Sequence, residues 1–341
     1  MDKPKILIIY TGGTIGMIED FESKSLRPFD FKSIENQVPE LKKIDVIIES
    51  YSFSTPIDSS DMGVNDWVKM VSIIEENYIQ YDGFVILHGS DTMSYTASAL
   101  SFMLKGLTKP VILTGSQLPI GTIRTDGKEN LITSVEIAAA RQNNKPLVPE
   151  VCIYFEYNLY RGNRTSKINS EDFEAFSSFN YPLLAEAGVN IKYNTNAIYY
   201  RNSQELEIFS QLENRVAILK LFPGITKVVV SAVFNIPDLK GVVLETFGSG
   251  NASSQNWFLE ELKQASEKGI VLMNVTQCLA GNVIQGKYAT SESFQKIGVL
   301  SGGDLTTEAA ITKLMYVLGK YKNKEVIIQK LSESLAGEMT I

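Results

Sequence analysis

Five short apolar runs, rich in β-branched residues, narrow the folds open to this chain more than any other feature. They read KILIIY (5–10), DVIIES (45–50), FVILH (84–88), PVILTG (110–115) and EVCIYFEY (150–157). Such runs fit strands buried on both faces of a parallel sheet. Helical patterns lie between them. In NDWVKMVSIIEENY, Trp67, Val71, Ile74 and Tyr78 recur at steps of four, three and four, with Asn65 expected as the N-cap. DTMSYTASALSFML and GKENLITSVEIAAARQ also read as helices. The pattern lapses in the polar stretch 195–215. It resumes with VAILKLF (216–222), GVVLETFGSGN (241–251), a helix near 254–268, GIVLMNVTQC (269–278) and helices near 306–320 and 323–335. A chain of 341 residues accommodates two domains. The expected architecture is α/β with two doubly wound domains: a larger N-terminal parallel-sheet domain over 1–195, a linker over 196–215, and a smaller C-terminal α/β domain over 216–341. Ligands of such sheets bind beyond the carboxyl ends of the strands.

The chain holds a single histidine, His88. A metal site of clustered histidines is therefore excluded within one chain, no His/Cys zinc spacing occurs, and no metal is expected. A Ser-His-Asp mechanism has only His88 to draw on. Cys152 and Cys278 lie far apart, which excludes a disulfide framework and suits a reducing compartment. A net charge of −7 with no Lys/Arg cluster argues against nucleic acid or an anionic membrane as the main partner. No run approaches the roughly 20 apolar residues of a membrane helix. The apolar run near the N-terminus is too short for a signal-peptide core, so the cytoplasm is the expected location.

Small polar residues stand where the strands end. The first strand gives Thr11-Gly12-Gly13-Thr14, the third His88-Gly89-Ser90-Asp91-Thr92, and the fourth Thr114-Gly115-Ser116-Gln117; Asp58-Ser59-Ser60 follows the second. Parallel strands would gather all four segments on one edge. Each has a plainer alternative. TGGTIG fits a bare glycine turn; it lacks the GxGxxG spacing, a ribose-binding acid and a following GK[ST], which disfavours a nucleotide loop. Ser90 or Asp91 fits a cap on the next helix. His88 fits a structural histidine satisfied by hydrogen bonds. Arg161, Arg164 and Lys167 fit a solvated loop, yet that loop follows the fifth strand and so reaches the same edge. A lysine there serves as a base once desolvation or neighbouring cations remove its proton. This offers a chemistry without histidine: a hydroxyl nucleophile, a lysine base, and a carboxylate to orient the lysine.

Taken together, TGGTIG, HGSDTM, TGSQLP with RTDGKEN, and LYRGNRTSK resemble the four signature regions of bacterial-type L-asparaginases, in the cytoplasmic type I branch. FGSGN, GIVLMNVTQC, GKYAT and SGGDLTTEAAITKL are similar to that branch as well, so the resemblance spans nearly the whole chain. It implies a catalytic N-terminal domain that hydrolyses L-asparagine to L-aspartate and ammonia without metal or cofactor. It implies Thr14 as the nucleophile of an acyl-enzyme. Ser90 would pair with Lys167 and Asp91 as the assisting group, Lys167 accepting a proton. Asp91 would also bind the substrate α-ammonium. Ser59, with Asp58 and Ser60, would hold the α-carboxylate. Ser116 would lie against the amide, and backbone N–H groups at the strand ends would form the oxyanion hole. A homodimer or homotetramer is implied too.

The chain departs from that family's pattern at three places. Most relatives carry threonine where Ser90 stands; the hydroxyl survives, but the lost methyl frees a rotor. Many place a tyrosine about ten residues past the nucleophile, a distance at which a closing loop returns to the site. Leu26 stands there instead. Some type I enzymes bind asparagine at a second, regulatory site, and Ser166, Asn251 and Cys278 stand at positions resembling it. An arginine that would meet the effector carboxylate looks replaced by Glu245, whose like charge repels. Activation by asparagine is therefore expected to be absent or altered. Glutamine is a possible poorer substrate. A related reading, the asparaginase-like subunit of a tRNA-dependent amidotransferase, meets the expectation that no room exists for its extra N-terminal domain. The alternative from another class is a non-catalytic amino-acid sensor using the same pocket.

Overall fold

Strand β1 (Lys5–Gly12) is buried from Ile6 onward and sits inside an eight-stranded sheet, between β2 (Ile47–Ile57) and β3 (Gly83–Leu87). The structure, a computed structural model, describes residues 3–19, 26–28, 37–200, 205–285 and 289–340. The chain divides into two compact units, Met1–Ile208 and Phe209–Ile341.

In the first unit, helix α1 (Val64–Asn77) precedes β3, and α2 (Met93–Met103) leads from it to β4 (Val111–Thr114). Helix α3 (Gly127–Ala139) then leads to β5 (Val151–Phe155). These five strands run parallel, so their carboxyl ends share one edge. Three antiparallel strands complete the sheet: β6 (Asn158–Arg161), β7 (Ala185–Ala187) and β8 (Ile191–Tyr193). The order across it is β8-β7-β6-β5-β4-β3-β1-β2. Ile6, Ile8 and Tyr10 of β1 share one core with Leu131 and Val135 of α3 and with Cys152 and Tyr154 of β5. Alternate residues of a strand face the same way, which gives β1 its second apolar row for the opposite layer.

Two sequence expectations change here. Strand β2 spans eleven residues and is an edge strand; Phe53 is its only buried residue among them, so it is not buried on both faces. Helix α1 is capped by Gly63, not Asn65. The Asp66 carboxylate reaches back to accept the Gly63 N–H at 2.9 Å, which fixes the start of the helix ahead of Asn65.

The second unit holds a four-stranded parallel sheet in the order β9-β10-β11-β12: β9 (Val216–Lys220), β10 (Gly241–Thr246), β11 (Val271–Thr276) and β12 (Leu300–Ser301). Its helices are α4 (Lys227–Phe234), α5 (Asn256–Glu267), α6 (Ala289–Ile297), α7 (Thr307–Lys320) and α8 (Lys324–Ser332). Val242, Leu244 and Leu272 pack with Phe258, Leu262 and Phe294 in its core. The Lys313–Glu338 ion pair, 2.8 Å long and fully buried, ties the C-terminal segment to α7. Leu335 and Ala336 donate backbone N–H groups to the same carboxylate, so the buried charge is hydrogen-bonded as well as paired. Among the described residues no helix is long and apolar enough to cross a membrane.

Candidate active site

Three glycines draw the strand ends of the first unit into contact. A Cβ on Gly12 would stand 2.2 Å from the Ile57 carbonyl oxygen at the end of β2. One on Gly13 would stand 2.4 Å from the Gly89 nitrogen, and one on Gly89 would stand 2.5 Å from Ser59 Oγ. A side chain fits at none of these points, so backbone meets backbone at Gly12 and Gly13, and Gly89 packs against the Ser59 side chain. The register agrees, since Gly12 pairs with Ile57 across β1 and β2. Thr14, Ser90 and the Asp58–Ser60 segment each follow directly from these contacts. Thr14 opens a 3-10 turn, Thr14–Gly16, and is half-buried. Tyr10, buried beneath, donates its hydroxyl to the Gly16 carbonyl at 2.9 Å; burial pushes its pKa up to about 12. Leu26 lies in a short ladder pairing Leu26–Pro28 with Met17–Glu19, but its side chain lies outside the described residues.

Lys167 arrives by a route the sequence does not announce. Glu156 and Tyr157 take positive φ and turn the chain from β5 into the antiparallel β6, which leads away from the shared edge. Residues 162–167 then climb back along α2, where Gly162 packs so tightly that a Cβ would stand 2.7 Å from that of Ala97. Lys167 Nζ donates to Ser90 Oγ at 2.8 Å and to Asp91 Oδ1 at 2.6 Å. The lysine side chain is 16% exposed and that of Asp91 66%. The antiparallel β6 thus stands between the fifth strand and this loop, and the lysine reaches the shared edge from there. The helix-cap alternative for Ser90 and Asp91 is set aside: Thr92 is the N-cap of α2, without a side-chain capping bond.

On the second strand's end, Asp58 accepts both the backbone N–H and the hydroxyl of Ser60, at 2.9 and 2.8 Å, and these bonds hold its carboxyl below the usual range. Ser59 is buried between them, with its carbonyl accepting from Thr92 Oγ1 at 2.6 Å. At the fourth strand's end, Ser116 is buried and donates to the Leu118 carbonyl at 2.5 Å. Asp126 accepts the Gln117 and Leu118 backbone N–H groups, and burial raises its pKa. Gln117 was not singled out from sequence. Its Oε1 accepts from Ser90 Oγ at 3.2 Å.

His88 is a structural residue. Its Nδ1 meets the Gly89 carbonyl at 2.7 Å and its Nε2 meets Thr96 Oγ1 at 2.9 Å. Trp67 Nε1 donates to the same threonine hydroxyl. A carbonyl accepts only, so the proton sits on Nδ1 and Nε2 accepts. Complete burial lowers the pKa to about 4 and keeps the ring neutral.

Of the residues resembling a regulatory site, Ser166 belongs to the first unit, and Asn251 and Cys278 to the second. Asn251 closes a turn by bridging to Phe247. Thr276 Oγ1 donates to Gly248 within that turn and accepts the Cys278 N–H at 3.0 Å. Glu245 pairs with Lys220 at 3.1 Å and accepts from Thr307 Oγ1 at 2.6 Å. Of GKYAT, residues 286–288 lie outside the described residues.

Comparison with known proteins adds independent findings. The family model described as "Asparaginase, N-terminal" matches residues 5–199, and "Glutaminase/Asparaginase C-terminal domain" matches residues 215–331. L-asparaginase 1 of Escherichia coli strain K12 is 41% identical over 341 residues, covering 100% of this chain and 99% of that protein. The 60 kDa lysophospholipase of Mus musculus is 38% identical over 366 residues, covering 99% of this chain and 63% of that one. The crystal structure of L-asparaginase I from Vibrio cholerae superimposes with a TM-score of 0.90 at 39% identity, covering 99% of this chain and 100% of that one.

Proposed function

The chain belongs to the asparaginase family, and from that premise we propose that it is a cytoplasmic enzyme hydrolysing L-asparagine to L-aspartate and ammonia. Thr14 Oγ attacks the side-chain amide carbon. Its proton passes to the departing nitrogen, which leaves as ammonia, and an aspartyl ester remains on Thr14. Water then attacks the ester. Lys167 takes the water proton through Ser90 and returns it to Thr14 Oγ. Asp91 orients Lys167 and receives the substrate α-ammonium. Ser59 receives the α-carboxylate, with Asp58 and Ser60 bracing its turn. Ser116 lies against the amide, and strand-end N–H groups stabilise the oxyanion. The substrate site belongs to the domain over 1–195, which the stretch 196–215 links to the domain over 216–341. The working form is a homodimer or homotetramer.

The observation that carries this reading is the position of Lys167 Nζ within hydrogen-bonding reach of both Ser90 Oγ and Asp91 Oδ1, at the strand end that abuts Gly13. The group consists of a hydroxyl, an amine and a carboxylate, which suits proton transfer without histidine. The neutral, buried His88 supports the same assignment, because its two ring nitrogens are already engaged.

The test is ammonium release from L-asparagine by the purified protein, with aspartate in equal yield. Ammonium release supports the proposal. Saturable asparagine binding with no ammonium would overturn it in favour of an amino-acid sensor.

A further inference from the structure

We propose that Gln117 is a positioning residue that holds the Ser90 side chain in the rotamer placing its Oγ beside Lys167; this rests on the proposed role of Ser90. Gln117 lies just past β4, on a different chain segment from both Ser90 and Lys167. Its Nε2 donates to the Asp172 backbone carbonyl at 3.0 Å. A carbonyl accepts and never donates, so this bond settles which end of the amide faces which way. The Oε1 end therefore faces Ser90 Oγ, at 3.2 Å, and it is the serine that must donate. In the resting site this bond holds Oγ 2.8 Å from Lys167 Nζ, and a turn about the Cβ–Oγ bond then brings the serine proton to the lysine.

The anchoring is firm at both ends of Gln117. Its backbone N–H is held by both carboxylate oxygens of Asp126, at 3.1 and 2.9 Å. Asp172, whose carbonyl takes the amide, is held by Asn169: its N–H meets Asn169 Oδ1 at 3.1 Å, and Asn169 Nδ2 meets its carboxylate at 2.6 Å. Gln117 thus clips the segment carrying Ser116 to the loop that follows Lys167, with Ser90 Oγ between them.

Serine needs such a restraint more than threonine does. Its χ1 has three staggered wells and no γ-methyl to exclude any of them. An unrestrained rotor shared among three wells would hold Oγ toward Lys167 about a third of the time. Removing the Gln117 acceptor should therefore lower the rate of a step that uses Ser90 by about threefold. Substrate contacts are left in place, so KM should hardly move.

The experiment is a double-mutant cycle on ammonium release. Gln117→Met removes the acceptor at similar length, and Ser90→Thr restores a methyl that restricts the rotor. The inference predicts that Gln117→Met lowers kcat about threefold with KM within about twofold. In the Ser90→Thr background the same change should lower kcat less than about twofold. A wild-type kcat in Gln117→Met overturns the inference. So does an equal loss in both backgrounds, which would place the effect in the loop rather than in the serine rotor. Thermal unfolding checks that each variant folds, and Gln117→Ala repeats the cycle should the methionine variant fail to do so. A wild-type enzyme without ammonium release would instead refute the proposed function itself, before any Gln117 variant is compared.

Discussion

Replacing Gly13 with alanine tests the contact that brings Thr14 beside Ser90. Gly13 has φ 85° and ψ 171°, a region that is almost exclusively glycine's and costs another residue about 1–3 kcal/mol. The added Cβ would also stand 2.4 Å from Gly89 N, 2.6 Å from Gly89 Cα and 2.8 Å from His88 C. All three are backbone atoms, so no side chain can swing aside. Restoring ordinary contact at 3.4 Å requires the two segments to part by about 3.4 − 2.4 = 1.0 Å. A displacement of about 1 Å between reacting groups lowers kcat by about 100-fold. The strain should lower Tm by a few to about ten degrees. Ammonium release and thermal unfolding measure both. Gly121→Ala is the control, because nothing lies within 4 Å of a Cβ there. Gly89→Ala gives a contrast: its Cβ would meet the Ser59 side chain, so KM should rise more than kcat falls. A Gly13→Ala enzyme with the kcat of the Gly121→Ala control would refute the claim that this backbone contact aligns Thr14.

Lys167→Met should lower kcat by about 10²–10⁴-fold, the range for a lost proton-transfer group, while leaving Tm within a few degrees because its partner Asp91 is mostly exposed; a kcat within tenfold of wild type contradicts the base assignment. His88 predicts a pH dependence of stability. Its folded pKa of about 4 lies below the ordinary 6.5, so between those values the unfolded chain binds a proton that the folded one does not, and stability falls as pH drops. Urea unfolding at pH 7 and pH 5 should differ by about 2 kcal/mol from this group, and His88→Gln should remove that share. An unchanged difference in the variant contradicts a neutral, buried His88. Glu245 pairs with Lys220 and Thr307, and on the resemblance to type I asparaginases its carboxylate would stand where an effector carboxylate binds, so the rate should rise hyperbolically with asparagine. A sigmoidal curve contradicts that expectation.

Much of the architecture was legible because the apolar runs are short, β-branched and evenly interleaved with helical periods. Four of the five N-terminal runs became buried strands at the expected places. DVIIES became an exposed edge strand, since hydrophobic pattern alone does not say which strand lacks an outer neighbour. The antiparallel β6 was hidden because EVCIYFEYNLY holds no glycine or proline to mark a turn, and the turn depends on positive φ at Glu156 and Tyr157. The site was legible as residue types at strand ends. Its connections were not. Gln117 meets Ser90 from 27 positions away through a side-chain amide, and no spacing rule encodes such a bond. A weak signal did exist for His88: as the single histidine, on an apolar strand end, it was better suited to a hydrogen-bonded core than to catalysis.

The central claim is that Thr14 becomes acylated and that Lys167, through Ser90, releases it. Acid-quenching the enzyme during asparagine turnover and mapping its peptides by mass spectrometry tests this directly. The account predicts an aspartyl ester on the peptide containing Thr14, more abundant in Lys167→Met than in wild type and absent from Thr14→Ala. An adduct on Ser90 instead, or sustained ammonium release by Thr14→Ala, would contradict it.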